Sequence, residues 1–274
     1  MSSEPITYLV KLKNRFSVAE RTTAFQFETP TNFIFRPGQW IDITLLNPAE
    51  TDAEGNVRGF SIASAPYEDM LMVATRMRDT AFKRELGRVP LNTEVKISGP
   101  GGNLTLQNNS ARTAVFLAGG IGVTPIRSIL FHAAKQRLPH RILFFFSNRR
   151  PEDAPFLEEL QALQQQNPNY TFIATMTQMA TSNREWTGQT GYINKDMLAK
   201  YLSAANLRSI TSSDRREWLT LCTARSTSQG LMMTTSGPKT LAATKQFIVV
   251  REKSAPRRDN RTDTKRSIYG RLYQ

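Results

Sequence analysis

The sequence predicts two domains, a small antiparallel β-barrel over residues 1–110 and an α/β domain with a parallel sheet over residues 111–250, followed by a basic tail at residues 251–274. Three observations carry this reading. Up to about residue 110, short stretches with apolar residues at a spacing of two recur at near-regular intervals, the pattern of a small antiparallel barrel. From Thr113 onward, strand-like runs alternate with stretches of helical spacing, which argues for parallel strands joined by crossover helices. At the junction stands Val115-Phe-Leu-Ala-Gly-Gly-Ile-Gly-Val-Thr-Pro125: a buried strand, a glycine turn and a helix start.

In the first domain Tyr8, Val10 and Leu12 fall on one face of a strand. Thr23, Phe25 and Phe27 do the same ahead of Pro30, with Gln26 and Glu28 opposite. Phe35-Arg-Pro-Gly-Gln-Trp-Ile-Asp-Ile-Thr-Leu45 reads as a turn entering a third strand, and residues 50–56 as an acidic, glycine-containing loop. Strands are expected at residues 59–63, 71–77 and 93–98, with one helix at residues 81–88 between the last two.

In the second domain residues 114–117 form the short apolar run of a strand buried on both faces. Gly119, Gly120 and Gly122 allow a tight turn and close backbone approach to a ligand. Thr124 and Pro125 suit a helix's first turn, and Ile126, Ile129, Leu130 and Ala133 continue it. The unpaired N–H groups of such a helix start invite a pyrophosphate. Strands follow at residues 141–146 and 171–176, and helices at residues 154–165 and 193–202. Residues 203–229 read as a polar insertion and residues 240–249 as helix-like. Ligands of open parallel sheets bind beyond the strands' carboxyl ends, which here carry residues 119–124, 147–150 and 175–178.

Composition narrows the class. With 274 residues and 39% hydrophobic content, the chain can bury two ordinary cores. No apolar run reaches bilayer-spanning length and the start, Met-Ser-Ser-Glu-Pro, lacks a signal pattern, so a cytoplasmic protein is expected. Cys222 is the single cysteine, which excludes an internal disulfide and a four-thiolate iron–sulfur cluster on this chain. His132 and His140 are too few for a convincing metal site, and no metal is expected. The net charge of +13 is uneven, since residues 200–274 hold fifteen Lys and Arg against five Asp and Glu. Such an excess either steers an acidic protein partner, attracts nucleic acid non-specifically, or is a solvated tail. No nucleic-acid reading module accompanies it.

Arg58-Gly59-Phe60-Ser61 sets a guanidinium and an aromatic ring on one strand face with a hydroxyl beside them. Such a set can grip a phosphate bidentately, stack on a flat heterocycle and bond its edge. Thr75-Arg76-Met77-Arg78 and Phe82-Lys83 add a basic element one hairpin later, and Ser98-Gly-Pro-Gly101-Gly-Asn-Leu104 ends the barrel with another glycine turn. The order of Pro37-Gly38-Gln39, Arg58-x-Phe60-Ser61, the basic element at 75–83, Gly99-Pro100 with Leu104, and Gly-Gly-Ile-Gly-Val-Thr-Pro at 119–125 resembles the ferredoxin–NADP reductase superfamily. Within it, the chain looks like the stand-alone bacterial flavin reductases, over residues 5–202.

The resemblance implies an FAD-binding barrel and an NAD(P)-binding α/β domain. Arg58 would bind the FAD pyrophosphate, Phe60 stack on the isoalloxazine, and Ser61 bond near flavin N5 as a catalytic residue, with Phe in place of the more usual Tyr at position 60. Gly59, Thr75, Arg76, Phe82, Lys83 and Gly101 join them as implied cofactor contacts, the phosphate-binding atom within residues 80–83 staying open. Gly119, Gly120, Gly122, Thr124, Pro125, Ser147 and Asn148 would line the NAD(P)H site. Arg149 or Arg150 either meets an adenosine 2′-phosphate through its planar fork or caps an exposed loop. Ser236-Gly237-Pro238 matches the place where nicotinamide approaches the flavin, Ser236 being the second catalytic candidate, while Lys239 replaces the family's second proline. Tyr269 and Tyr273 are candidates to shield the flavin's far face.

The implied activity is an FAD-dependent oxidoreductase that takes hydride from NAD(P)H and passes electrons to a separate acceptor such as a ferredoxin, an oxygenase component or a haem protein. The alternative, motivated by Lys239 and the tail, is a flavin-binding regulatory or electron-sensing protein with impaired nicotinamide reactivity.

Overall fold

A computed structural model of the chain describes residues 6–111, 113–204 and 246–250. The first domain is a six-stranded antiparallel sheet in the order β4-β3-β6-β1-β2-β5. Its strands are β1 (Thr7–Ala19), β2 (Thr22–Glu28), β3 (Trp40–Leu45), β4 (Val57–Ser61), β5 (Met70–Arg76) and β6 (Glu94–Gly101). The sheet curls into a barrel that stays open, because edge strands β4 and β5 are joined only by the Ile62–Val73 bridge just past β4. Alternation turns Val10, Leu12, Phe25, Phe27, Ile41 and Ile43 into one interior. Helix α1 (Ala81–Arg88) has the bounds its sequence predicts: Thr80 caps it by accepting the Lys83 N–H, and Phe82 and Leu86 enter the barrel core.

The second domain is a parallel sheet in the order β10-β9-β8-β7-β11, from β7 (Ala114–Gly119), β8 (Ile142–Asn148), β9 (Tyr170–Met176), β10 (Gln189–Thr190) and β11 (Gln246–Val250). Phe116, Phe144 and Phe146 pack beneath α2 (Thr124–Lys135) and α3 (Leu157–Gln166). On the opposite face Val115, Leu143 and Phe145 meet α4 (Lys195–Ala204). Coverage on both faces is why β7 and β8 read as continuous apolar runs rather than alternating ones. A fully buried Phe of this kind contributes roughly 2–3 kcal/mol.

Two expectations are corrected. Residues 246–250 are not the end of a helix: they form β11, parallel to β7 from Gln246 opposite Ala114 to Val250 opposite Ala118. The β-branched run Ile248-Val249-Val250 suits a strand, and β7 supplies an edge to pair with. Helix α3 starts at Leu157 rather than 154, because Pro151–Asp153 forms a 3-10 turn and Phe156 takes a φ of 62° ahead of the helix.

The two sheets share one core. Ala24, Ala63, Met72 and Ala74 of the barrel belong to the same buried cluster as Phe116, Ile126 and Phe144. The junction brings the end of β5 to the glycine turn that follows β7, where a Cβ at Gly120 would stand 3.8 Å from Arg76 Nη2. No helix among the described residues is long and apolar enough to cross a membrane.

Candidate active site

The α/β wall of the resulting crevice is built on the glycine turn. Gly119 remains extended, and a Cβ there would stand 3.1 Å from the Ser147 carbonyl oxygen of the adjacent strand. Gly120 turns with a φ of 53°. Helix α2 does not begin at the glycines: a 3-10 turn over Gly120–Val123 intervenes, with Gly122 buried inside it. The Thr124 hydroxyl, also buried, donates to the Ile121 carbonyl at 3.1 Å, and Pro125 occupies the first turn of α2.

Asn148, at the end of β8, ties the turn to its neighbour. Its Oδ1 accepts the Gly120 N–H at 3.1 Å, while its buried Nδ2 has no partner among the described residues. Ser147 lies beside it, half-buried. Arg149 and Arg150 then diverge. The Arg150 side chain is 20% exposed, with Nε on Asp153 Oδ2 at 2.8 Å and Nη2 on the Glu20 carboxylate of the barrel's first hairpin. Arg149 is 52% exposed and, among the described residues, its side chain pairs through Nη2 to Asp153 Oδ1 at 3.0 Å. Burial pulls the Asp153 carboxyl upward, but the Arg150 hydrogen bond and the charges of Arg149, Arg150 and Arg76 outweigh it and hold that carboxyl below its ordinary range.

Arg76, ending β5, reaches across from the barrel. A Cβ at Gly120 would stand 3.8 Å from Arg76 Nη2, which donates to the Asp153 carbonyl at 3.5 Å. Its Nε is buried without a partner among the described residues. The Lys83 ammonium donates to the Arg76 carbonyl at 2.7 Å, steadying the end of β5.

On the barrel wall Phe60 is half-buried at 5.9 Å, centroid to centroid, from Phe82, and Ser61 is half-buried at the end of β4 opposite Trp40. Arg58 is held by its own neighbourhood. Nη2 meets Asp52 Oδ1 at 2.8 Å, Nε meets Glu54 Oε2 at 3.1 Å, and Nη1 donates to the carbonyls of Glu54, Gly55 and Val57. Its guanidinium carbon lies 5.3 Å from the Phe82 ring centre. Desolvation pulls the Asp52 carboxyl up, but the Glu54 N–H, Arg58 and the Ala81 N–H overcome it and hold it below its ordinary value. The acidic loop thus lies along α1, with Glu50 engaging Arg84 and the Ala49 N–H donating to Glu85.

The structure therefore brings Gly119, Gly120, Arg76 and Asn148 together where the barrel meets the parallel sheet, with Arg149 beside Asn148 and Phe60 and Ser61 at the end of edge strand β4. Other candidates stand apart. Thr75 is 5% exposed within β5, Phe82 is core at 2%, exposed Gly59 lies on β4, and Gly101 seats the Trp40 indole, whose Cζ2 a Cβ would approach to 2.8 Å. Ser236, Gly237 and Pro238, with Cys222, Tyr269 and Tyr273, lie outside the described residues. Sequence reasoning missed Asp52 and Asp153; the Asp and Glu placed within six residues of Arg58 and four of Arg149 were the available signal.

Asn148 Nδ2 and Arg76 Nε are buried donors that lack acceptors among the described residues, the chemistry that an anionic ligand such as a dinucleotide phosphate would satisfy. The fold defines the class first: an open antiparallel barrel packed on a parallel nucleotide-binding sheet. Residues 116–224 match the family model of the oxidoreductase NAD-binding domain. A ferredoxin–NADP reductase B of Sorangium cellulosum is 27% identical over 208 residues, covering 75% of this chain and 82% of the relative. A glycine betaine monooxygenase reductase subunit of Chromohalobacter salexigens is 28% identical over 182 residues, covering 65% of this chain and 48% of that one. The chain thus spans about half the length of this oxygenase relative. In fold it is similar to a ferredoxin NADP+ reductase from Neisseria gonorrhoeae solved with bound FAD and NADP, with a TM-score of 0.63 at 17% identity over 89% of this chain and 98% of that one. The chain carries an oxidoreductase NAD-binding domain, and its relatives and fold are those of ferredoxin–NADP reductase-type NAD(P)H-dependent flavoprotein reductases.

Proposed function

We propose that the chain takes hydride from NAD(P)H and delivers electrons to a separate acceptor protein, a ferredoxin, an oxygenase component or a haem protein. Residues 1–110 serve the flavin and residues 111–250 the nicotinamide nucleotide. The observation that carries the reading is the shared crevice, in which Arg76 from the barrel comes up to Gly120 of the nucleotide turn. When bound, FAD supplies the redox chemistry, taking two electrons as hydride and giving them up singly. The chain's own residues bind and orient. Phe60 offers an aromatic face, Ser61 a hydroxyl at the flavin edge, Asn148 and Arg76 buried donors, and Arg149 a half-exposed fork for the adenosine 2′-phosphate. Arg150 belongs to the loop, committed to Asp153 and Glu20. The net charge of +13 favours encounter with an acidic acceptor, and the glycine betaine monooxygenase relative supports an oxygenase component.

The test is an absorbance spectrum of the FAD-loaded protein followed by anaerobic addition of NADPH and, separately, NADH. Bleached flavin bands are expected, faster with NADPH. Bands that persist with both nucleotides would overturn the reductase reading in favour of flavin binding alone.

A further inference from the structure

Arg127, the fourth residue of α2, is an almost completely buried cation whose side chain is 5% exposed. Its Nη1 donates to the Ala63 carbonyl at 2.8 Å and to Glu68 Oε2 at 2.9 Å. Nη2 reaches Glu68 Oε1 at 3.1 Å and Glu159 Oε2 at 3.0 Å, and Nε reaches Glu159 Oε1 at 2.6 Å. The Phe131 and Phe156 ring centres lie 4.2 and 5.3 Å from the guanidinium carbon. Desolvation works against the charged form, but hydrogen bonds to Glu159 and Glu68 outweigh it and raise the pKa above its ordinary value. The following residue extends the link, the Ser128 hydroxyl donating to the Ser64 carbonyl at 2.7 Å.

The acceptors lie at an informative place in the chain. Ala63 and Ser64 follow Ser61 by two and three residues, and both are secured to the barrel through Met72: the Ala63 N–H donates to the Met72 carbonyl at 2.7 Å, and Ser64 Oγ accepts the Met72 N–H at 2.9 Å. Arg127 itself lies four residues past the end of the 3-10 turn of the nucleotide wall. One guanidinium therefore couples the strand exit that carries Phe60 and Ser61 to the helix that carries the glycine turn. A planar fork with donors on three nitrogens can serve three separate acceptor groups at once; a lysine ammonium cannot span them.

We propose that Arg127 is a positioning residue that sets the separation between the flavin strand and the nucleotide turn, and with it the approach of nicotinamide to flavin. The proposal rests on the reductase reading above. Transfer between two bound groups depends steeply on their separation, a misplacement of about 1 Å costing on the order of 10²-fold in rate.

The experiment compares wild type, R127K and the milder E159Q as full-length, FAD-loaded proteins. For R127K we expect unchanged flavin content and nucleotide dissociation constants within about threefold, but a limiting rate of flavin bleaching at least about tenfold slower in stopped flow. Without any nucleotide, amide hydrogen exchange over residues 62–65 and 124–128 should be faster in R127K, with E159Q intermediate in both readouts. E159Q carries the same test if R127K does not fold. A bleaching rate that matches wild type, or one that falls only in proportion to lost flavin or nucleotide, overturns the proposal and leaves Arg127 a stabiliser of the domain junction. Failure of the underlying reading shows separately, as a wild-type protein that holds FAD yet is bleached by neither nucleotide.

Discussion

The two walls of the crevice prepare their cationic and donor groups in opposite ways. On the barrel wall Arg58 is surrounded by Asp52, Glu54 and three carbonyl oxygens. On the α/β wall Arg149 has one carboxylate partner among the described residues and a half-exposed side chain. There Asn148 Nδ2, and opposite it Arg76 Nε, are buried without acceptors among the described residues. A buried donor without a partner costs about 1–3 kcal/mol, which a ligand that accepts its hydrogen bond gives back. A phosphate that reaches Arg58 must instead displace a carboxylate already bonded there. If these residues hold the ligands as proposed, nucleotide binding completes a network, whereas flavin binding exchanges one anion for another.

Substitutions on the two walls sharpen this contrast. The largest effect is expected at the barrel wall's contribution to chemistry: Ser61→Ala should slow flavin bleaching by NADPH on the order of 10²-fold in stopped flow while leaving flavin content unchanged. An unchanged rate would confine that wall to binding. On the other wall, Arg149→Ala should weaken NADPH by roughly 30-fold and NADH by less than about twofold, in titrations followed by flavin absorbance. Equal losses for both nucleotides would mean that Arg149 does not read the 2′-phosphate.

Asp52→Asn carries the opposite sign. If Asp52 competes for Arg58, its neutral form should bind FAD more tightly, by about threefold to fivefold for a solvent-screened pair, in fluorescence titrations of the flavin-free protein. Weaker binding would show instead that the acidic loop supports the flavin site.

The smallest effect concerns acid stability. The Asp153 carboxyl is depressed in the folded protein, so between its folded value and the ordinary carboxylate range the unfolded chain binds more protons than the folded one. Its stabilising contribution is present above that range and is lost as pH falls through it. Thermal melting should therefore be flat above about pH 5 and decline in more acidic buffer, and Asp153→Asn should flatten the decline.

How much of this was legible depends on how local each feature is. The bounds of α1 follow from Thr80 as a cap and from Phe82 and Leu86 on one face. The glycine turn is legible because strand, glycines and Pro125 sit side by side in the chain. By contrast, β11 was hidden, since its pairing partner β7 lies more than a hundred residues earlier and nothing local announces that edge. Arg58 was recognised as a phosphate-binding type, but the path of residues 50–56 over α1 decided that carboxylates already hold it.

The sequence by itself determined the two sheet types, the turn between them and the residue types that can bind phosphate and aromatic groups. Backbone propensity and side-chain period act over a few residues, so such features are written locally. Only the tertiary structure decided that Arg149 is open while Arg150 is committed to Glu20, and that Arg127 is a buried link fed by Glu68 of the barrel and Glu159 of α3. Those partners come from distant segments. A buried charge persists only where packing brings enough acceptors to it, and that is a property of the assembled fold.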